Sequence, residues 1–303
     1  MVRARSLEVL PVEWRVRVAL LTTLALIGFS ANSLLTRAGL GAGRIDAASF
    51  TCVRIMSGAV MLALLVRLRP ARALTRTAID VLSPAMLAGY AVLFTLAYGR
   101  IGAGVGALIL FGAVQATMIG TGLVRGERPR LLDWVGVALA VAGLLVFAVP
   151  GASAPDPLGT ALMAGAGACW GVYSLLGHAG GDALARTARN FAWAVIPAVI
   201  FLGLARAQTH VTTSGLLMAA ASGALASGVG YTLWYAALPS LTAWRAGIVQ
   251  LVVPVMTAIA ATLLLGESIT PRLLVATALV AAGVVQGVGF GLRQNATTVT
   301  RGR

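Results

Sequence analysis

Ten apolar runs follow one another along the chain, at about 17–37, 47–66, 78–98, 104–124, 131–149, 158–178, 190–206, 214–237, 245–265 and 271–291, broken by short Arg, Gly, Pro or Asp clusters. A helix needs about 20 mostly apolar residues to cross the hydrocarbon core, so each run is long enough to span. In lipid every backbone N–H and C=O must be bonded internally, which leaves helices or closed barrels. The runs are too long for barrel strands. The pattern predicts an all-α, polytopic membrane protein of ten transmembrane helices. Only 11% of the 303 residues are charged, against roughly 25% in soluble domains, and ten crossings leave no room for a sizeable extramembrane domain.

Charge orients the chain. The 23 basic residues are all Arg, and Arg collects in cytoplasmic loops. With the N-terminus inside, seventeen fall in inside loops; Arg37, Arg44, Arg100, Arg206 and Arg272 fall outside, and Arg54 lies within the second run. Both termini are therefore expected to be cytoplasmic, in a bacterial inner membrane. The first 16 residues are read as a tail that is kept, being too long and too charged for a signal-peptide start. The net charge of +14 follows from the loops and calls for no nucleic-acid partner. Lack of Lys excludes a Walker-A loop and Schiff-base chemistry. Cys52 and Cys169 lie in apolar runs without CxxC spacing and read as small buried hydrophobes. His178 and His210 have no metal partner at usable spacing. No cofactor or metal is expected.

Sliding the chain by 140 residues aligns 94–145 with 234–285 without a gap, placing Thr117 over Thr257, Leu123 over Leu263, Gly126-Glu127 over Gly266-Glu267 and Ala142-Gly143 over Ala282-Gly283. At 141, Ser33-Leu34-Leu35 falls on Ser174-Leu175-Leu176. The repeat unit thus holds five helices. The expected organisation is a tail 1–16, a first repeat 17–149, a linker 150–157, a second repeat 158–291 and a C-terminal tail 292–303. An odd number of crossings makes the second copy enter from the opposite side, with Glu127 cytoplasmic and Glu267 outside. Inverted repeats of this kind enclose a site near the midplane with access alternating between sides.

The segments GALILFGAVQATMIGTGLVRGERPRLLDWVGVALAVAGLLV and AGIVQLVVPVMTAIAATLLLGESITPRLLVATALVAAGVVQ each close an apolar helix on Gly-Glu and start another soon after. This resembles the EamA repeat of the drug/metabolite transporter superfamily, over nearly the whole chain. Phe50 with Arg54, and Pro254 in the ninth run, match it further; Val114 stands where the repeat partner has Pro254. The resemblance implies a ten-helix exporter whose cavity is lined by helices 1, 3, 4, 6, 8 and 9, with 2, 5, 7 and 10 outside. Within the superfamily the chain looks most like the aromatic amino-acid exporters of the YddG type.

Polar and aromatic residues within spans should face the interior or water. Tyr90, Phe94 and Tyr98 share one face of the third helix; Tyr231, Trp234 and Tyr235 one face of the eighth; Trp170 and Tyr173 one face of the sixth. They either line a cavity suited to an amphipathic guest or form packing and interface belts. Asn32, Ser33, Gln115, Ser174 and Gln250 offer neutral hydrogen-bonding groups at depth, to a zwitterion's polar head or between helices. Arg54 reads as a structural tie ahead of a carboxylate ligand, and Glu127 and Glu267 as loop-fixing groups ahead of ion-coupling ones. All nine acidic residues fall in loops or at span ends, which favours downhill transport without ion coupling. Ser222-Gly223 lacks a mid-span His and no GxSxG occurs, so a membrane hydrolase is remote and a passive channel is the nearer rival. The expected protein moves amino acids, aromatic ones favoured, as a monomer or weak homodimer in the bilayer.

Overall fold

The computed structural model describes residues 12–68, 81–101, 103–148, 156–179, 181–265 and 271–289. Among them ten helices form and no strand; a lone β-bridge joins Ile45 to Val211. The first five are α1 (Val12–Leu40), α2 (Ala47–Arg67), α3 (Leu82–Tyr98), α4 (Ala103–Val124) and α5 (Leu131–Ala148). Then come α6 (Pro157–Gly177), α7 (Ala183–Leu204), α8 (Thr213–Ala221 continued through Ser222–Val229 and Gly230–Ala237), α9 (Ala243–Gln250 and Val252–Leu265) and α10 (Pro271–Gly289). By length and composition alone, α1, α2, α6, α7 and the 213–240 stretch are sufficient to cross a membrane.

Start signals are local. Asp46, Asp156 and Asp182 cap α2, α6 and α7, each accepting from a backbone N–H of the first turn. The Asp182 cap starts α7 seven residues before the apolar run at 190. Arg186, which precedes that apolar run, lies on the helix and donates to the Leu176 carbonyl at 2.9 Å. α9 breaks at Leu251 because Pro254 has no N–H and its ring crowds the carbonyl of Gln250. α4, with Val114 at the equivalent place, runs unbroken. α8 keeps its direction but widens to a π-helix over Ser222–Val229.

Loop contacts sort the helix ends onto two faces. On one, Trp14 donates to Ser240, and Glu127 accepts from the N–H groups of Ala243 (3.0 Å) and Trp244 (3.1 Å), capping α9. On the other, Asp46 accepts from His210 N–H at 2.9 Å and Arg100 pairs with Asp156 at 3.7 Å. α1 starts on the first face and α6 on the second, so the two sets of five helices thread in opposite senses. Packing follows the same pseudo-two-fold: α2 packs on α7 and α5 on α10, while α3 and α4 pack on α6 as α8 and α9 do on α1. Apolar side chains of α1 and α7 such as Leu20, Leu24, Ile196 and Ile200 remain exposed around the bundle, as lipid-facing surface requires. Glu267, most of the 150–157 linker and residues 1–11 and 290–303 lie outside the described residues.

Candidate functional site: an aromatic cavity on the pseudo-two-fold

At mid-bundle the two halves meet on aromatic rings. Shifted by 141, Phe29 of α1 falls on Trp170 of α6 and Tyr90 of α3 on Tyr231 of α8. In the structure Phe29 packs edge-on to Trp170 (5.1 Å) and to Tyr231 (5.7 Å), and Trp170 lies 5.1 Å from Tyr90 and 4.7 Å from Tyr231. Equivalent residues of the two halves thus build one cluster. Edge-to-face and tilted contacts of this kind add about 0.5–1.5 kcal/mol per pair beyond area burial.

These four rings, with Asn32 and Ser33 of α1, Leu110 and Phe111 of α4 and Val253 of α9, enclose a cavity. The lining comes from helices 1, 3, 4, 6, 8 and 9, the set that the family resemblance implied. Its volume is about 20 Å³, room for one or two waters. An amino acid does not fit. The space is too narrow for one, and a guest of that size enters only when helices part.

The aromatic stripes continue toward both ends. Phe94 contacts Tyr90 at 5.1 Å and Tyr98 contacts Phe94 at 4.7 Å on the way to the Arg100 face. Toward the Glu127 face, Tyr173 stacks on Trp170 (5.6 Å) and on Tyr235 (4.8 Å). The rings form a column with the cavity at its middle.

Hydrogen bonds fix the wall. Trp170 Nε1 donates to Gln250 Oε1 at 2.6 Å, and Gln250 Nε2 donates to the Ala246 carbonyl at 3.0 Å. Trp234 Nε1 donates to Ser174 Oγ at 3.1 Å and the Tyr235 hydroxyl to the Tyr173 carbonyl at 2.9 Å. Asn32 donates to the Tyr90 hydroxyl at 3.4 Å and accepts from Ser222 Oγ at 2.6 Å. Gln115 donates to the Gly247 carbonyl at 2.5 Å. Ser33 donates back to the Phe29 carbonyl at 3.2 Å.

Of the residues expected at the site, Asn32, Ser33, Tyr90, Trp170 and Tyr231 line the cavity. Phe94, Tyr98, Tyr173, Ser174, Trp234, Gln115 and Gln250 stand around it and brace its wall or ends. Arg54, though on peripheral α2, reaches inward beside Tyr90, Phe94 and Tyr231. Glu127 and Pro254 sit away from it, at the α9 cap and just past the α9 break. Sequence reasoning missed Phe29, Leu110, Phe111 and Val253. Phe29 was recoverable from the 141-residue register that puts it opposite Trp170; the three others are apolar in an apolar chain and carried no signal. The cavity offers hydroxyl, amide and ring faces and no acidic group. Among the described residues no cluster of His, Cys, Asp or Glu could hold a metal.

The sequence pattern of the EamA-like transporter family matches residues 157–286. An uncharacterized protein of Pseudomonas aeruginosa is 49% identical over 273 residues, 88% of this chain and 93% of its own length. The threonine/homoserine exporter RhtA of Escherichia coli is 32% identical over 208 residues, 65% of this chain and 67% of its own. RhtA of Salmonella typhimurium is 30% identical over 204 residues with the same coverage. A solved crystal structure superposes over 91% of this chain and 98% of its own with a TM-score of 0.74 at 18% identity, a likeness of fold.

Proposed function

The chain belongs to the EamA-like transporter family of the drug/metabolite transporter superfamily, and from that premise we propose that it exports amino acids by alternating access. It is a multi-pass membrane transporter and not an enzyme. The observation that carries the reading is the narrow cavity at the contact of two oppositely threaded halves, walled by Phe29, Tyr90, Trp170 and Tyr231. Rings hold a flat or apolar side chain and attract its ammonium by about 0.5–2 kcal/mol; Asn32 and Ser33 can bond the polar head. Aromatic and hydrophobic amino acids suit that wall best. The RhtA likeness favours a second substrate set, small hydroxylated amino acids such as threonine, which share the zwitterionic head.

Every acidic residue lies in a loop or at a span end, and carriers driven by protons or sodium keep an acidic group at depth. The transport proposed is therefore downhill and not ion-coupled. The chain works as a monomer or weak homodimer in a bacterial inner membrane, with the Glu127 face and both termini cytoplasmic.

The test is counterflow of a labelled amino-acid panel, tryptophan and threonine included, into liposomes holding the purified protein with no ion gradient. Uptake should saturate, and Trp170→Ala and Tyr90→Ala should each cut it about tenfold or more for the favoured substrates, the loss of a ring contact and its burial. Non-saturating flux makes the protein a channel. Strict need for a pH gradient rejects the uncoupled mechanism, and mutants equal to the parent for every substrate reject the cavity.

A further inference from the structure

Arg54 is fully buried in a part of the molecule that holds no carboxylate. Its Nε donates to Ser227 Oγ at 3.0 Å and its Nη2 to the Tyr231 hydroxyl at 2.6 Å. Its Cζ lies 5.3 Å from the Tyr90 ring centre and 5.8 Å from that of Phe94. All these partners are neutral. Nη1 is buried and makes no hydrogen bond of good geometry, with the Tyr90 hydroxyl standing beside the guanidinium. An unpaired guanidinium donor away from water is costly, and structures retain one where it meets an anion in use.

Holding the fold together does not require this cation. Under the 141-residue register that superposes Phe50 on Phe191 and Ile55 on Ile196, Arg54 falls on Val195, so the second half packs its equivalent helix with a Val. The charge belongs to one half only. It also stands one side chain from the cavity, because the two phenols that surround it, Tyr90 and Tyr231, are themselves cavity lining.

We propose that Arg54 is the carboxylate-binding group of the transport cavity: when the Tyr90 and Tyr231 rings part to admit the guest, the free Nη1 of Arg54 takes a carboxylate oxygen of the substrate. This rests on the reading of the cavity as a transport site. It makes the anionic head, more than the side chain, the feature every substrate shares, and so reconciles an aromatic wall with a likeness to an exporter of small hydroxylated amino acids. A halide is the other monoanion a guanidinium could hold, and the test separates the two.

Thermal stability of the purified full-length parent is followed with tryptophan, with its decarboxylated amine tryptamine, with indole-3-acetate, and with chloride replaced by sulfate. Tryptophan and indole-3-acetate should stabilise it and tryptamine should not, whatever the halide. In liposomes Arg54→Gln should lose tryptophan uptake about tenfold or more relative to tryptamine, and Arg54→Lys should regain part of the preference. Equal stabilisation of the parent by tryptophan and tryptamine overturns the proposal, as does dependence on chloride instead of carboxylate, or a folded Arg54→Gln that keeps its preference. If no amino acid is moved yet indole-3-acetate stabilises the parent and not Arg54→Gln, the amino-acid reading falls and this site stands.

Discussion

Asp46 shows how much one side chain at a membrane face can do. Its Oδ1 accepts from the N–H groups of Ala48 (3.0 Å) and Ser49 (2.9 Å), capping α2, while Oδ2 accepts from His210 and ties the α1–α2 loop to the α7–α8 loop. Partial burial pushes its carboxyl up, but the hydrogen bonds from Ser49 and His210 outweigh that and leave it below the ordinary carboxylate range. A carboxyl depressed in the folded state contributes stability that is present above its unfolded value near 4 and lost as pH falls through the folded one. Thermal unfolding in detergent should therefore show Asp46→Ala less stable by about 1 kcal/mol at pH 7 and the gap closing below about pH 4. Equal melting at pH 7 would remove the tie. At this scale the sequence was partly legible. Trp170, Tyr90 and Tyr231 stood out because aromatic stripes are rare in an apolar chain. Arg54 was read as a tie from helix 2, since nothing in one dimension says that α3 and α8 converge on it or that Nη1 makes no hydrogen bond.

The elements carry their own constraint in the π-helical stretch of α8. Gly223 packs so closely on α2 that a methyl group there would overlap the carbonyl oxygen of Arg54 and the Ser57 hydroxyl. Backbone cannot yield as a flexible side chain can, so Gly223→Ala should destabilise by about 1–3 kcal/mol, read as a lower melting temperature of the purified protein. Gly112 of α4 has nothing within 4 Å of the added methyl, and Gly112→Ala should stabilise by up to about 1 kcal/mol. If the two substitutions behave alike, the close α2–α8 contact is not what sets the stability of this region. Apolar runs found all ten helices because length and hydrophobicity decide a span. They misjudged the start of α7, where capping by Asp182 outranks two arginines, and could not register the widening of α8, whose hydropathy is the same in either helical form. The α9 break was visible as Pro254.

The whole molecule has a pseudo-two-fold symmetry that is broken at a few places. Two halves of like sequence thread in opposite senses and meet on Phe29, Trp170, Tyr90 and Tyr231. Arg54 against Val195, and Pro254 against Val114, are the departures. Alternate loops differ in Arg in the sequence; the narrowness of the cavity could not be read there, since it depends on how rings stack between helices far apart in the chain. The central claim, that one cavity faces the two sides in turn, is tested most directly at Ser33. In a Cys52→Ala, Cys169→Ala background, Ser33→Cys is labelled with a membrane-impermeant thiol reagent applied to right-side-out and to inside-out vesicles. The account predicts labelling from either side, suppressed on both by a transported amino acid; reaction from one side only, whatever the direction of the substrate gradient, would contradict it.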